Sequence, residues 1–169
     1  MRKTKKWLLC VPFLAVLFGV YVFLTGQRKP LAVGEMSSLE ISDSGEITMS
    51  LNSEGSSVHG SALSVSITNN TQTEFIGEGQ EDFLVEVLKE GKWYSLQWFR
   101  GIDRHGVSVT YPPGEEKVCC FDWSLQYGVL PPGDYRVVKR FLYRNPDWDV
   151  APAFQNYCTL YASVEFQVE

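Results

Sequence analysis

The side chains of this 169-residue chain best suited to covalent or metal chemistry are four cysteines and two histidines. Cys119 and Cys120 are adjacent in "KVCCFDW", Cys158 stands apart near the C-terminus, and Cys10 lies in an apolar N-terminal run. A thiol becomes a nucleophile only where a histidine or another cation stabilises its thiolate. His59 falls in a Gly/Ser-rich turn and His105 in "GIDRHG", and neither is spaced to meet a cysteine. No catalytic residue is therefore expected. Zinc is disfavoured too, because neither a Cys-x-x-Cys pair nor paired histidines occur. Carboxylates gather in "GEGQED" (77–82) and "PDWD" (146–149), loop positions where a hard cation such as Ca²⁺ binds. Such residues serve far more often as turn formers, so neither a metal nor a cofactor is expected. A carboxylate pair for glycoside hydrolysis would need a cleft deeper than a domain of this size is expected to form.

Aromatic residues point to recognition instead. Trp93, Tyr94 and Trp98 share one hairpin arm, while Phe141, Tyr143, Trp148, Phe154 and Tyr157 crowd the last strand pair and its loop. Most must fill the core. Trp148 and Phe154, however, sit in a Pro-flanked loop where no alternation turns them inward. With Tyr157 they form the candidate recognition loop, the alternative being a loop that folds back over the sheet edge.

The elements that position these residues read as strands. Past residue 45 the hydrophobic period is two: Ile47, Met49 and Leu51 alternate with Thr48 and Ser50, and Leu63, Val65 and Ile67 with Ser64, Ser66 and Thr68. "FLVEVL" and "KWYSLQW" flank a hairpin turn centred on Glu90-Gly91. "GVSVTY", "KVCCFDW", "YRVVKRFLY" and "CTLYASVEFQV" bring the expected set to about eight strands, and "NNTQTEFIGEG" reads as a loop. Pro-Pro-Gly-acid occurs twice, at 112–115 and 131–134, each time ahead of an apolar run. Pro113-Gly114 and Pro132-Gly133 fit the central positions of type II turns, proline setting φ and glycine accepting φ > 0. Asn69-Asn70-Thr71 matches a glycosylation sequon and is expected to be a turn.

The N-terminus is set apart. Arg2, Lys3, Lys5 and Lys6 precede nineteen uncharged, mostly apolar residues, Leu8 to Gly26. As a helix these span ~28 Å at ~1.5 Å per residue, about the thickness of a bilayer core. Val22 and Phe23 stand where a cleavage site would need small residues, so an uncleaved anchor is expected over a cleaved signal, which would leave the protein secreted. The positive-inside rule then puts residues 30–169 outside the cell membrane. The expected division is an anchor at 1–29, a linker at 30–44 and a sandwich at 45–169. Beyond residue 29 twenty acids face nine bases, a net charge of −11, which argues against nucleic acid as a partner. The membrane and an unknown protein remain as partners.

"SITNNT" (66–71), "EGKWY" (90–94), "PPGE" (112–115), Trp123 and "YGVLPPGDYRVVK" (127–139), with Val164, Phe166 and Val168 in a final strand, carry a family likeness. The chain resembles the bacterial immunoglobulin-like domains of exported and membrane-anchored proteins, mostly from Gram-positive bacteria. The resemblance covers roughly residues 45–169. It implies an all-β, immunoglobulin-like antiparallel β-sandwich without known enzymatic activity or established ligand, here preceded by a transmembrane helix. Pro132, Gly133 and Tyr135 match the tyrosine corner of such sandwiches, in which the ring packs inward and its hydroxyl bonds nearby backbone. Trp93 and Trp123 are expected as core aromatics of the motif. The sequence departs from the antibody pattern in lacking the inter-sheet cysteine pair of the second and sixth strands. Parity puts Cys119 on a face with Phe121 and Trp123, Cys120 with Asp122, and Cys158 with Leu160 and Ala162. A Cys119–Cys158 bridge is the expected pairing, against the alternative of three reduced, simply packed thiols. The function expected is a tethered, non-catalytic binding or spacer module. An exported enzyme using loop acids or a cysteine, and a structural subunit of a membrane complex, are the alternatives.

Overall fold

Alternation of apolar and polar residues does produce strands here. The computed structural model describes residues 31–52, 57–58, 60–79, 82–98, 107–145 and 156–169, and within them eleven strands and no helix. They are β1 (Val33–Met36), β2 (Ile47–Leu51), β3 (Ser57–Val58), β4 (Ala62–Asn69), β5 (Phe75–Gly77) and β6 (Leu84–Lys89). The rest are β7 (Lys92–Leu96), β8 (Val109–Tyr111), β9 (Glu116–Asp122), β10 (Gly133–Arg144) and β11 (Tyr157–Val168). The expected membrane helix lies outside the described residues.

Two sheets form. The larger runs β1-β7-β6-β10-β11-β3, with β5 and β8 continuing it beyond β6 along β10; the smaller is β2-β4-β9. Every pairing is antiparallel except β3 with β11. The inward residues of both sheets, among them Val65, Ile67, Phe121, Val85, Val137 and Phe141, belong to one buried cluster, which makes the fold a β-sandwich. Phe83 meets Phe121 edge-on at 5.1 Å, and Trp123 stacks on Phe166 at 5.2 Å.

Turn chemistry divides the two Pro-Pro-Gly copies. At the first, the Glu115 N–H donates to Pro112 C=O at 3.2 Å and Gly114 has φ 73°, which makes a type II turn. At the second, Gly133 has no positive φ and is already the first residue of β10, so the expected type II turn is absent. Glycine is used there for a different reason. The Tyr135 ring folds back over it, with Cε2 3.4 Å from where a Cβ would stand. The Tyr135 hydroxyl donates to Pro131 C=O at 2.8 Å, which completes the expected corner. Glu90 and Gly91, with φ 51° and 73°, close the β6–β7 hairpin as expected.

Three strands lie outside the eight expected. β5 falls inside the "NNTQTEFIGEG" loop, where Phe75 and Gly77 turn inward. β3 is two residues long. The third corrects the linker at 30–44: β1 adds to the β7 edge, and the chain then crosses the large sheet. Ser37 N–H donates to Trp93 C=O in β7, and Ser42 N–H donates to Tyr161 C=O in β11, each at 2.9 Å. This crossing segment, 37–43, is a strap rather than a stalk. The compact unit accordingly begins at Leu31.

Candidate functional site

The strap lies on the outer face of the large sheet, the face turned away from the core, and that face is unusually finished. Arg136 of β10 and Glu86 of β6 are register partners. Arg136 Nε donates to Glu86 Oε2 at 2.6 Å, and Nη2 approaches the same oxygen at 2.6 Å. Glu86 is 0% and Arg136 8% exposed. The guanidinium carbon sits 4.6 Å from the Trp93 ring centroid, a cation–π contact. Met36, Leu39 and Ile41 of β1 and the strap line an open hollow against Trp93 and Arg136. Val138, also outward-facing, is 1% exposed although it lies outside the core cluster.

Beside the end of the strap opens a pocket of about 290 Å³. Its floor is Leu84 and Val138, register partners on β6 and β10; the next row is Arg140 and Tyr161, partners on β10 and β11. Its wall is formed by Glu78, Asp82 and Phe83, which lie between β5 and β6. Arg140 Nη2 pairs with Glu78 Oε1 at the rim.

That wall is set from within by Lys139. Parity turns Lys139 inward between Val137 and Phe141, and it is 1% exposed. Its ammonium donates to the carbonyls of Glu78 at 2.7 Å, Gly79 at 2.9 Å and Asp82 at 3.1 Å. Three donors thus meet three acceptors, and the Phe121 ring lies 6.0 Å away. Gly77 makes the approach possible, because a Cβ there would stand 3.0 Å from Tyr111 Cε2 and 3.2 Å from Lys139 Cε. The "GEGQED" loop, read as able to hold a hard cation, holds the protein's own ammonium through its backbone carbonyls.

The predicted site residues fall as follows. Cys119, Cys120 and Cys158 are free thiols, so the expected Cys119–Cys158 bridge is not formed. The parity was right: Cys119 is buried, Cys120 exposed and Cys158 half-buried. The lateral placement was not. Cys119 is in β9 of the small sheet, and Cys158 is in β11 of the large one, opposite Tyr143. Aromatic rings fill the region: Tyr111 sets its hydroxyl 3.7 Å from Cys119 Sγ and packs edge-on to Phe141 at 5.3 Å. Burial, with Cys119 adding to it, pushes the Tyr111 phenol far above its ordinary range. Burial and Cys158 raise Tyr143, and burial raises Tyr135.

Of the candidate recognition loop, Trp148 and Phe154 lie outside the described residues, as do "PDWD", His59 and His105. Tyr157, the first residue of β11, is 56% exposed. Trp123 is buried and Trp93 half-buried, the latter on the outer face rather than in the core. Pro132 is exposed ahead of β10. Asn69 is fully buried, its amide donating to Thr73 C=O and Tyr111 C=O at 2.8 Å each, so the sequon is a structural turn.

Lys139 and the Glu86–Arg136 pair were not singled out from sequence. The signal was present for both: a lysine at an inward position of "YRVVKRF" and an acid inside the apolar run "LVEVL".

A family model for the bacterial Ig-like domain matches residues 43–162. The chain belongs to that family. The Ig-like match starts at the last residue of the strap, so β1 and nearly all of the strap precede it. Domains of this family are generally non-catalytic, which suits a binding or spacer role. No curated protein matches the chain.

Proposed function

We propose that this protein is a non-catalytic binding module held on the outer side of the cell membrane, its Ig-like sandwich serving as a rigid platform. The family match carries the reading of a binding or spacer module. The apolar run from Leu8 to Gly26, preceded by four basic residues, supports tethering and export. Binding is favoured over a bare spacer by the outer face of the large sheet. A spacer has no use for a pocket whose wall is locked by a buried ammonium, and rigid walls lower the entropic cost of binding. The exposure of Tyr157, the first residue of β11, supports the segment before it, with Trp148 and Phe154, as a second recognition element.

Cys120 supplies the test, because it is exposed and Cys119 is 4% exposed. A membrane-impermeant maleimide added to intact cells labels Cys120, and the protein stays in the membrane pellet through an alkaline carbonate wash. Labelling only after lysis would overturn the outward placement, and release by carbonate would overturn the tether.

A further inference from the structure

The small sheet ends in an open edge. Among the described residues only β4 pairs with β9, the last strand of the order β2-β4-β9. The ladder between them fixes which groups are left over. Asn69 N–H donates to Glu115 C=O at 3.0 Å and Trp123 N–H to Ser61 C=O at 2.8 Å, both in the register that runs unbroken through β9. Bonded pairs recur at every second residue of an antiparallel ladder, so Lys117, Cys119 and Phe121 also turn their amides to β4. Glu116, Val118, Cys120 and Asp122 turn theirs to the free side. The same four side chains are exposed, Val118 at 58%.

We propose that this edge accepts an extended segment of a protein partner as an added antiparallel strand, apolar at its centre and basic at both ends. It adds a second surface to the binding module proposed above. Constant-type immunoglobulin sandwiches carry four strands in the sheet that holds the strand before the tyrosine corner. Here β9 is that strand, in a sheet whose described strands number three. A strand on its free edge takes a place that the architecture accommodates.

Charge names the partner. Along the exposed row, Val118 and Cys120 stand between Glu116 and Asp122. Asp122 accepts the Ser124 N–H at 2.8 Å, which holds its carboxyl below the ordinary value and keeps it ionised. Glu116 stands opposite Thr68 and Asp122 opposite Ala62, and neither neighbour supplies a cation. Lys117, the one base of β9, is engaged by Glu115 at 3.5 Å and Thr110 C=O at 2.6 Å. A second copy of this chain is the wrong partner. Pairing β9 with itself over its whole length sets Glu116 against Asp122, and like charges destabilise a cross-strand pair. Lysine or arginine opposite both acids, with β-branched residues opposite Val118 and Cys120, is the complement.

The test uses the full chain in lipid nanodiscs and the blocked peptide Lys-Thr-Val-Thr-Val-Thr-Lys, followed by amide hydrogen exchange. Without peptide, the Val118 and Cys120 amides should exchange fast while those of Cys119 and Phe121 exchange slowly. The peptide should slow Val118 and Cys120 saturably, with a dissociation constant on the order of 1 mM that rises severalfold with added salt. The same peptide with Glu in place of both Lys should bind severalfold more weakly, and Glu116→Lys should remove that preference. N-methylation of both valines should abolish binding and that of the central threonine should not, because in an antiparallel pair the valine N–H groups face β9 and the threonine N–H faces away. Unchanged exchange at Val118 and Cys120, equal binding of the two peptides, or any other N-methyl pattern would overturn the proposal. Protection without peptide that grows with protein concentration would overturn it in favour of a second copy. The maleimide labelling of Cys120 scores export separately, so a failed titration and a failed topology remain distinct.

Discussion

Glu86 and Arg136 stand opposite each other in the β6–β10 register and share a 2.6 Å charge-assisted hydrogen bond on the sheet face that points away from the core. Both are buried there beneath a segment that precedes nearly all of the family match. A buried pair offsets its own desolvation poorly, but breaking it leaves a charge stranded. Glu86→Ala should destabilise the domain by about 3–5 kcal/mol. The double replacement Glu86→Leu with Arg136→Met should cost much less. Urea melts of the two variants check this, and equal losses would mean that the pair is not sealed from water.

Lys139 carries the second prediction. Lys139→Met keeps the stem among Val137, Phe121 and Phe141 but removes three hydrogen bonds to carbonyls. A loss on the order of 3 kcal/mol is expected, since bonds to a charged donor are each worth about 1.5–3 and the freed carbonyls can partly rehydrate. A urea midpoint unchanged within error would show that the ammonium's bonds to the Glu78, Gly79 and Asp82 carbonyls add nothing to the fold.

Much of the small sheet was legible from residues alone. In β4, Leu63, Val65 and Ile67 alternate with polar neighbours because that sheet has one wet face, and period two is the direct record of that condition. The large sheet is buried more evenly. Parts of β6 and β10 are covered on both faces, so their patterns carry charged residues at buried positions, which alternation cannot interpret. β1 escaped notice for the opposite reason: Val33, Glu35 and Met36 are all exposed, and an edge strand with no buried face leaves no period. The Cys119–Cys158 pairing failed because parity reports which way a side chain points and says nothing of what it lands beside: Cys119 stands opposite Val65 and Cys158 opposite Tyr143. Of the candidate site, the acidic loop was noticed, but its cation came from a strand some sixty residues away.

The third prediction concerns the corner. Tyr135→Phe removes the hydroxyl that donates to Pro131 C=O at 2.8 Å. The expected cost is about 1–2 kcal/mol, from one lost bond and one carbonyl left unmade. A urea midpoint unchanged within error would contradict a structural role for that hydroxyl.

Alkaline pH gives the fourth. Tyr111, Tyr135 and Tyr143 hold phenols raised above their ordinary 10.0, chiefly by burial. The fold therefore favours the protonated form, and the unfolded chain ionises first. The contribution is fully present below pH ~10 and is lost as pH rises from there toward the folded-state values. Stability should fall between about pH 10 and 11, and Tyr111→Phe should flatten that fall. A wild-type profile level through this window would contradict it.

The central structural claim is that the outer face of the large sheet is a finished surface, covered by the strap and set from beneath by Lys139. Amide hydrogen exchange on the full chain tests it most directly. The account predicts slow exchange at Ser37 and Ser42, whose N–H groups bond Trp93 and Tyr161, and at Asp82, whose N–H donates to Gly79 C=O. Exchange at the rate of an unstructured chain at Ser37 and Ser42, with β10 amides still protected, would contradict it: residues 31–43 would then be a stalk, and Glu86 and Arg136 would lie open to water.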